Sequence, residues 1–376
     1  MLGVYVHIPF CANKCGYCDF HSIVAGSSVV DDYLEALSGE ISHWVDKLSG
    51  KPCSTLYIGG GTPTILSSKQ LQRLLSGLTA AFSFESDFEF TVEANPGTLT
   101  PAKLEVMAEA GVNRISLGAQ TFDDKLLKEI GRTHTVEDIY RSVELIRDYG
   151  ISNINLDLIE GLPGQTFEQW ETALKAAVAL RPTHLSCYSL ILEEGTPFYR
   201  EFEQGTLLLP SDDEAANMFE FTQTYLPQVG FRHYEISNYA QPGKEAQHNL
   251  IYWHNQYYLG LGSGAHGYYN KERISNISDV AAYTRNWLAG VSATAACVPI
   301  DLDAAMDETM MLGLRLIDGV NEKQFFDRFN VSIQDVYPQA IAELMERGLL
   351  ERQNGFLRLT KRGISLGNLV FSAFIR

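Results

Sequence analysis

The sequence predicts an α/β protein in which a parallel sheet with outer helices is followed by a smaller C-terminal domain. Short apolar segments alternate with amphipathic segments through the first 200 residues, polar side chains gather where the apolar segments end, and the pattern changes twice further on. Six β/α units in series imply parallel strands, arranged either as an open doubly wound sheet or as a partial barrel. Both layouts place function at the carboxyl ends of the strands.

The first six strands and the helices between them follow from the spacing of apolar residues. The strands are predicted at residues 4–8, 55–58, 88–93, 114–119, 154–159 and 185–191. The helices are predicted at residues 31–48, 67–82, 101–110, 123–130, 136–149 and 167–180. Thr100 and Pro101 indicate the start of the third helix. A threonine hydroxyl can cap the free N–H groups of the first turn, and proline has no N–H group to leave unpaired there. Gly111 indicates the end of the helix.

The chain beyond residue 192 predicts two further parts. We expect residues 1–200 to form the β/α sheet, 201–300 an extension of it, and 301–376 a C-terminal helical, winged-helix-like module. In the extension, the pattern predicts a helix at 212–226, an extended segment at 234–239 and an aromatic, glycine-rich region at 248–269. In the C-terminal module, it predicts helices at 304–316, 321–329 and 333–347 and strands at 349–352 and 356–360, joined by the hairpin signal Gln353-Asn-Gly355.

Composition and charge exclude several classes of protein. Of the 376 residues, 45% are apolar and 11% aromatic, enough for a folded core. The formal charge of −17 argues against a general nucleic-acid surface, and the acidic C-terminal module favours packing or partner contacts over DNA. Met1-Leu2-Gly3-Val4 lacks a basic stretch and a cleavage site, and no apolar run reaches the length of a membrane span. We therefore expect a cytoplasmic protein without nucleic-acid partners.

Three cysteines carry the strongest chemical signal. Cys11, Cys15 and Cys18 lie in Cys11-Ala-Asn-Lys-Cys15-Gly-Tyr-Cys18, directly after the first strand. This spacing suits a cuboidal iron–sulfur cluster in which three thiolates hold three irons and the fourth iron stays open to a ligand. A zinc site completed by His7 or His21, or a group of inert thiols, are the alternatives. The isolated Cys53, Cys187 and Cys297 are expected to be small buried apolar side chains.

A glycine-rich loop follows the second strand. Gly59-Gly60-Gly61-Thr62-Pro63-Thr64 allows the backbone to approach a ligand closely and to point N–H groups at it. The loop is neither a P-loop nor a G-x-G-x-x-G dinucleotide motif.

Together these motifs resemble the radical S-adenosylmethionine (SAM) superfamily. His-Ile-Pro-Phe-Cys-x3-Cys-x2-Cys-Asp-Phe and Gly-Gly-Gly-Thr-Pro are similar to its branch with the oxygen-independent coproporphyrinogen III dehydrogenases, and within that branch to the HemW-type haem chaperones. The resemblance runs the whole length of the chain. It includes segments 93–97, 118–120, 131–134 and 155–164. It implies that the sheet is a partial (β/α)6 radical SAM barrel.

The resemblance also implies cofactors and the residues that bind them. Cys11, Cys15 and Cys18 would hold a [4Fe–4S] cluster, whose open iron would chelate the amino and carboxylate groups of SAM. Gly60, Gly61 and Thr62 match the loop that receives the methionine amino group. The other implied SAM contacts are Tyr5, Tyr17, Glu93, Gln120, Arg132 and Asp157.

Two departures separate this chain from the dehydrogenases. Those enzymes carry a fourth cysteine two residues after the third, where this chain has Phe20, and a long extension before the motif, where this chain has ten residues. His248-Asn249-Leu-Ile-Tyr252-Trp253 matches the H-N-x-x-Y-W signature of the haem chaperones. The resemblance therefore implies haem contacts at His248, Tyr252 and Trp253, with His266 a lesser candidate ligand. By chemistry alone, a histidine beside aromatic residues is more often a packed structural site.

The sequence therefore predicts a protein that binds a cluster, SAM and haem as cargo, and that delivers haem to apo-haemoproteins of the respiratory chain. A homodimer and a peripheral position at the inner face of the membrane are further expectations from the resemblance. The alternative is an oxygen-independent coproporphyrinogen III dehydrogenase or a radical enzyme with another substrate. RNA-modifying radical enzymes form a third class, but they need a basic RNA-binding element that this sequence lacks.

Overall fold

Six parallel strands lie side by side in chain order in the computed structural model, which describes residues 1–48 and 50–376. The strands are Leu2–Ile8 (β1), Cys53–Gly60 (β2), Phe84–Ala94 (β3), Arg114–Gln120 (β4), Asn153–Glu160 (β5) and His184–Ser189 (β6). Each pairs in parallel with the next. A doubly wound sheet would reverse its strand order at a switch point, so this order is that of the predicted partial (β/α)6 barrel.

The connecting helices confirm the predicted β/α alternation. They are Ser27–Leu48 (α1), Ser68–Ala81 (α2), Pro101–Glu109 (α3), Asp124–Glu129 (α4), Val136–Asp148 (α5) and Phe167–Ala179 (α6). The hydroxyl of Thr100 accepts from the N–H of Lys103 and so caps α3 as predicted. Thr135 and Asp138 cap each other at the start of α5, and that helix buries Ile139, Val143 and Ile146 against the sheet.

The next segment extends the same sheet at both ends. Its elements are Pro197–Glu203 (α7), Asp212–Gln228 (α8), Arg232–Glu235 (β7), Asn238–Ala240 (β8), Gln247–Trp253 (α9), Tyr257–Leu261 (β9), His266–Tyr269 (β10), Glu272–Asn276 (β11), Val280–Leu288 (α10) and Thr294–Pro299 (β12). β9 joins β1 in parallel, and β10, β11 and β12 continue antiparallel beyond it. At the other end, β8 pairs antiparallel with β6, and β7 with β8.

The structure differs from the sequence prediction at two points in this segment. The extended segment at 234–239 is a pair of antiparallel strands, because the chain reverses between Glu235 and Asn238. The aromatic, glycine-rich region, for which no helix was predicted, begins within α9, whose first N–H groups are paired by a side chain from another strand. The backbone N–H groups of Gln247 and His248 donate to the carboxylate of Glu89 on β3. A cap that comes from a distant strand leaves no local sequence signal.

The C-terminal region has the predicted character of helices with a small winged sheet. Its elements are Leu302–Gly313 (α11), Val320–Asn321 (β13), Glu322–Phe329 (α12), Ile333–Val336 (α13), Pro338–Glu346 (α14), Leu350–Gln353 (β14), Phe356–Leu359 (β15), Lys361–Ser365 (α15) and Gly367–Ser372 (α16). The strands form a sheet in the order β13-β15-β14. The single helix predicted at 333–347 is wrong: it breaks at Tyr337, since the residue before a proline is driven out of the helical region.

Three apolar clusters form the core of the described residues, and the smallest contains Leu126, Ile130, Ile159, Leu162 and Phe198. The largest lies between the twelve-stranded sheet and its helices, and the second belongs to the C-terminal region and includes Met310, Phe325, Leu344 and Val370. The domain boundaries expected at residues 200 and 300 remain predictions. A search of the described residues for a helix with the length and hydropathy of a membrane span finds none.

Candidate functional site

A cavity of 1570 Å³ lies at the carboxyl ends of the barrel strands and extends to the C-terminal region. The ends of β2 to β6 contribute polar side chains to its wall, as the β/α pattern predicts. Residues that line it and that the sequence analysis named are Cys11, Cys15, Tyr17, Cys18, Gly60, Gly61, Thr62, Glu93, Gln120, Arg132, Asp157 and Trp253. The fold therefore brings most of the predicted site residues to one cavity.

The three cysteines lie on a loop that folds back on the barrel. The N–H of Cys11 donates to the carbonyl of Ile23, and the N–H of Gly16 donates to the carbonyl of Ile130. Cys15 is buried, Cys11 and Cys18 are half-buried, and none of the three forms a disulfide. Within the described residues, no group of three or more His, Cys, Asp or Glu side chains is placed to hold one metal ion. Three thiols that face one cavity from a single loop have the donor chemistry of an iron–sulfur site.

A chain of polar contacts links two of the thiols. The Oγ1 atom of Thr62 lies 3.6 Å from Sγ of Cys11 and accepts a hydrogen bond of 2.8 Å from Nδ2 of Asn95. Nη2 of Arg132 donates to Oδ1 of Asn95 at 2.6 Å and to the carbonyl of Gly118 at 2.7 Å. Nη1 of Arg132 reaches Sγ of Cys15 at 3.6 Å. These contacts fix a permanent positive charge beside the thiols, where it would stabilise thiolates and the anionic part of a ligand.

The guanidinium of Arg132 remains charged in this setting. Burial acts against the charged form, but the neighbouring Tyr17 and Cys15 outweigh it, so the pKa of Arg132 lies above its ordinary value. For the Cys18 thiol, burial raises the pKa and so favours the neutral form before any metal binds.

The glycine loop after β2 approaches the cysteine loop closely. Gly60 has a φ of +111°, and a Cβ at Gly61 would lie 2.6 Å from the carbonyl oxygen of Phe10, so side chains are excluded at both positions. The predicted N–H groups do not point at a ligand. The N–H of Gly61 donates to Ile8, that of Thr62 to Phe10, and that of Gly60 to Glu93. These N–H groups are engaged within the protein and are therefore not free to bind an anion.

Two half-buried carboxyl groups, Glu93 and Asp157, line the cavity. Glu93 accepts from the hydroxyl of Tyr57 at 2.6 Å and from the N–H of Gly60 at 3.0 Å. Burial raises the pKa of Glu93 to about 7. Asp157 accepts from Ser116 at 3.1 Å and from Asn155 at 2.7 Å, and burial raises its pKa too. Each carboxyl therefore has hydrogen-bonding neighbours that fix its orientation and can accept further donors such as hydroxyl or ammonium groups.

Gln120 and Tyr17 reach the cavity, whereas Tyr5 does not. Gln120 adopts a φ of +66° where the pairing of β4 with β5 shifts register, which turns its side chain towards the cavity. Tyr17 lies beside the thiols. The hydroxyl of Tyr5 is hydrogen-bonded to Nδ1 of His7 at 2.9 Å, and Tyr5 is not among the residues that line the cavity. Its predicted contact with SAM has no support in this arrangement.

The H-N-x-x-Y-W segment is divided between the two faces of α9. His248 and Tyr252 face the barrel strands: Nδ1 of His248 is hydrogen-bonded to Oγ1 of Thr55 at 2.6 Å, and its Nε2 to the hydroxyl of Tyr252 at 2.7 Å. His248 is buried, and burial lowers its pKa to about 3. Asn249 and Trp253 instead line the cavity. To ligate haem iron, His248 would have to give up one of two buried hydrogen bonds.

His266 lies outside the cavity lining, whereas Phe20 is part of it. His266 begins β10, is exposed and does not line the cavity. Phe20, at the position of the fourth cysteine of the dehydrogenases, lines the cavity with 61% of its surface exposed.

The sequence analysis missed two residues that the structure places in the cavity wall. Asn95 bridges Thr62 and Arg132, and its signal was its place in Glu93-Ala-Asn-Pro-Gly97, directly after β3. Arg315 follows α11 within the apolar run Met310-Met-Leu-Gly-Leu-Arg-Leu316, where an isolated arginine was a signal that could have been followed.

Comparison with known proteins agrees with this arrangement. The family model described as the radical SAM superfamily matches residues 5–177, and the HemN C-terminal domain model matches residues 300–366. Two similar curated proteins are named heme chaperone HemW. The one from Bacillus subtilis is 41% identical over 376 residues, which cover 100% of this chain and 99% of that protein. The one from Lactococcus lactis is 41% identical over 374 residues, which cover 99% and 97%.

Among solved structures, the chain is similar to coproporphyrinogen III oxidase (HemN) from Escherichia coli, described as a radical SAM enzyme. The two chains superpose with a TM-score of 0.87 at 25% sequence identity, over 100% of this chain and 90% of the other. The likeness covers the barrel and the C-terminal region together, and it confirms the predicted fold class.

Proposed function

Because the chain belongs to the HemW family of radical SAM proteins, we propose that it is a haem chaperone, which binds haem and hands it to apo-haemoproteins. The observation that carries the proposal is the match with chaperones of that name along the full length of both chains. The cavity supports it, since 1570 Å³ exceeds the roughly 300–1,000 Å³ of an ordinary small-molecule site and leaves room for a second ligand beside SAM.

The radical SAM match implies an iron–sulfur cluster and SAM as cofactors. Cys11, Cys15 and Cys18 would hold a [4Fe–4S] cluster, and the residues of the cavity fit this group. Three undisulfided thiols share one wall with a fixed guanidinium, and the adjoining loop has no space for a side chain at Gly60 or Gly61. When bound, the cluster would supply an electron to the sulfonium of SAM.

The surrounding residues would bind and orient SAM. Arg132 suits its carboxylate, because the guanidinium is already held by Asn95 and the carbonyl of Gly118. The carbonyl groups of Gly60 and Gly61 and the hydroxyl of Thr62 suit the amino group. Glu93 and Asp157 suit ribose hydroxyls, and Gln120 and Tyr17 complete the wall.

For haem, the arrangement favours Trp253 as a direct contact and gives His248 and Tyr252 a positioning role. Trp253 lines the cavity, and its ring can cover a porphyrin face. The hydrogen bonds of His248 with Thr55 and Tyr252 hold α9 against the barrel and so place Trp253. Finer expectations belong to the same proposal: recipients in the respiratory chain, a peripheral position at the membrane, and a homodimer.

Haem transfer tests the proposal. Protein purified without oxygen, with cluster and SAM, is loaded with haem and mixed with an apo-haemoprotein, and the absorption spectrum reports the transfer. We expect stoichiometric haem binding and transfer faster than from free haem. Serine in place of Cys11, Cys15 or Cys18 should abolish bound iron and sulfide, while Cys297→Ser, which changes an exposed thiol, should leave them unchanged.

The rival function is coproporphyrinogen oxidation, which the structural likeness to HemN suggests. Incubation with coproporphyrinogen III, SAM and a reductant discriminates between the two functions. Protoporphyrinogen formed over many turnovers would contradict the chaperone proposal, whereas haem transfer without turnover supports it.

A further inference from the structure

Part of the cavity wall contains buried polar atoms that have no partner among the described residues. They are Nε2 of Gln223, Oδ1 of Asn238, Nε1 of Trp253 and Nε of Arg315, and all four residues line the cavity. Buried polar atoms are almost always hydrogen-bonded, because an unpaired one costs about 1–3 kcal/mol. All four side chains belong to the cavity wall, which therefore has hydrogen-bonding capacity that the described residues do not use.

Arg315 is held where three parts of the fold meet. Its carbonyl accepts from the N–H of Ile236, which ties the end of α11 to the turn between β7 and β8. Its guanidinium carbon lies 4.7 Å from the ring centroid of Trp253 on α9 and 5.4 Å from that of Phe371 on α16. Contacts with two aromatic rings restrict the guanidinium without using its N–H groups.

The charge of Arg315 has no ion-pair partner among the residues that the structure describes. Its acidic neighbour is Glu235, which also lines the cavity and interacts with it electrostatically. Burial raises the pKa of Glu235 to about 7, so this carboxyl is only partly charged at neutral pH and compensates the guanidinium incompletely. A guanidinium whose charge is incompletely compensated is suited to bind a carboxylate through two N–H groups.

The same cavity has exposed apolar walls. On the barrel side these are Phe20, Tyr188 and Ile191, and on the C-terminal side they are Leu366 and Leu369. Ile191 exposes 65% of its surface and Leu369 exposes 40%. Apolar side chains left open within one cavity indicate a large apolar ligand. A haem has both features, a flat apolar macrocycle and two carboxylates.

We propose that Arg315, held between Trp253 and Phe371, binds a propionate of the haem, with the macrocycle between the two apolar walls. This inference rests on the proposed haem function. It adds to that function a residue that binds a carboxylate of the haem. The indole N–H of Trp253 is a second donor to the same propionate. This contact holds the haem by its edge and requires no protein ligand to the iron.

The test compares haem with its dimethyl ester, in which both carboxylates are blocked. Both porphyrins are titrated into the cluster-loaded protein and followed by absorption. Wild type should bind haem about 10- to 100-fold more tightly than the ester, as expected for loss of a charged hydrogen-bonded pair. Arg315→Gln should lose most of this preference by weakening haem and leaving the ester unchanged, and Arg315→Lys should retain part of it.

Matched variants separate this effect from general damage. Arg328 also stacks on an aromatic ring, that of Phe329, but it does not line the cavity. The Arg328→Gln variant should therefore keep the full preference for haem over the ester. Trp253→Phe keeps an aromatic ring under Arg315 but removes the indole N–H together with part of the ring, so haem affinity should fall several-fold. Cluster absorption and thermal unfolding check that each variant is folded. If Arg315→Gln does not fold, the haem preference of Arg315→Lys and Trp253→Phe tests the assignment.

The outcomes distinguish the two levels of the proposal. If wild type binds neither porphyrin, the haem function fails, and this assignment fails with it. If wild type binds haem but the ester binds equally well, or if Arg315→Gln keeps the wild-type preference, the assignment of Arg315 alone is overturned.

Discussion

Nη1 of Arg132 lies 3.6 Å from Sγ of Cys15, so a permanent positive charge touches one of the three thiols that are proposed to hold the cluster. The two residues come from different β/α units, after β4 and after β1. Arg132 is held there by Asn95 and by the carbonyl of Gly118. In the proposed function, this one side chain serves both the cluster loop and the carboxylate of SAM.

Arg132→Gln should weaken SAM binding and leave the cluster in place. The neutral amide loses the charged hydrogen bonds to the SAM carboxylate, so we expect a loss of roughly 10-fold or more in affinity, measured by equilibrium binding to the reconstituted protein. Arg141→Gln changes an exposed arginine paired with Glu137 and should behave as wild type. Unchanged SAM affinity in Arg132→Gln would remove Arg132 from the site.

Glu93 should make SAM binding depend on pH. Its pKa is raised to about 7 by burial, so below pH 7 the carboxyl is mostly protonated and accepts hydrogen bonds less well. SAM affinity should therefore rise with pH through about 7, by up to about 10-fold per pH unit below the pKa. Glu93→Gln should flatten this profile, and Glu85→Gln, an exposed change on the same strand, should retain it. A steep profile in Glu93→Gln would show that another group is responsible.

Glu40 should be a stabilising residue although it lies outside the cavity lining. Its buried carboxyl accepts from the N–H of Gly262 at 2.7 Å, from Asn276 at 2.6 Å and from the hydroxyl of Tyr283 at 2.5 Å. In Glu40→Gln the amide nitrogen faces one of these donors, so the free energy of unfolding should fall by about 1–3 kcal/mol in denaturant titrations. Glu35→Gln, on the exposed face of the same helix, should change it by less than about 0.5 kcal/mol.

The same carboxyl should contribute to the pH dependence of stability. Burial raises its folded-state pKa from 4.5 to about 7, so between these values the folded state binds more protons than the unfolded state. Its contribution is therefore fully present at low pH and is lost as the pH rises through about 7. The decline in unfolding free energy over this range should be shallower in Glu40→Gln than in wild type. An equal decline in both would contradict the assignment.

His248→Ala should destabilise the protein without changing the ligation of haem iron. The change leaves the hydroxyls of Thr55 and Tyr252 without their partner, at a cost of about 1–3 kcal/mol in unfolding free energy. The absorption bands that report iron ligation should stay as in wild type, with haem affinity reduced only through the position of Trp253. His254→Ala, at the exposed end of the same helix, is the control and should leave both the unfolding free energy and the spectrum as in wild type. Loss of a histidine-ligated spectrum in His248→Ala alone would instead establish His248 as the ligand.

Much of the fold follows from local sequence signals. The apolar segments that became β1 to β6 and the caps of α3 and α5 involve residues close together in the chain. The helix α9 could not be predicted in this way, because Glu89 from β3 pairs its first N–H groups. Pro338 was visible in the sequence, but the break that it causes at Tyr337 was missed.

For the site, the sequence alone indicated the cluster loop and the glycine loop, because three thiols within eight residues supply the donors for one cluster and three consecutive glycines let the backbone approach a ligand closely. Only the tertiary structure decided the rest. It turned His248 and Tyr252 towards the barrel and Trp253 towards the cavity, and it brought Arg315 against Trp253 from another part of the chain. The physical reason is that the face of a helix that meets a cavity depends on what packs against its other face, and that partner lies far away in sequence.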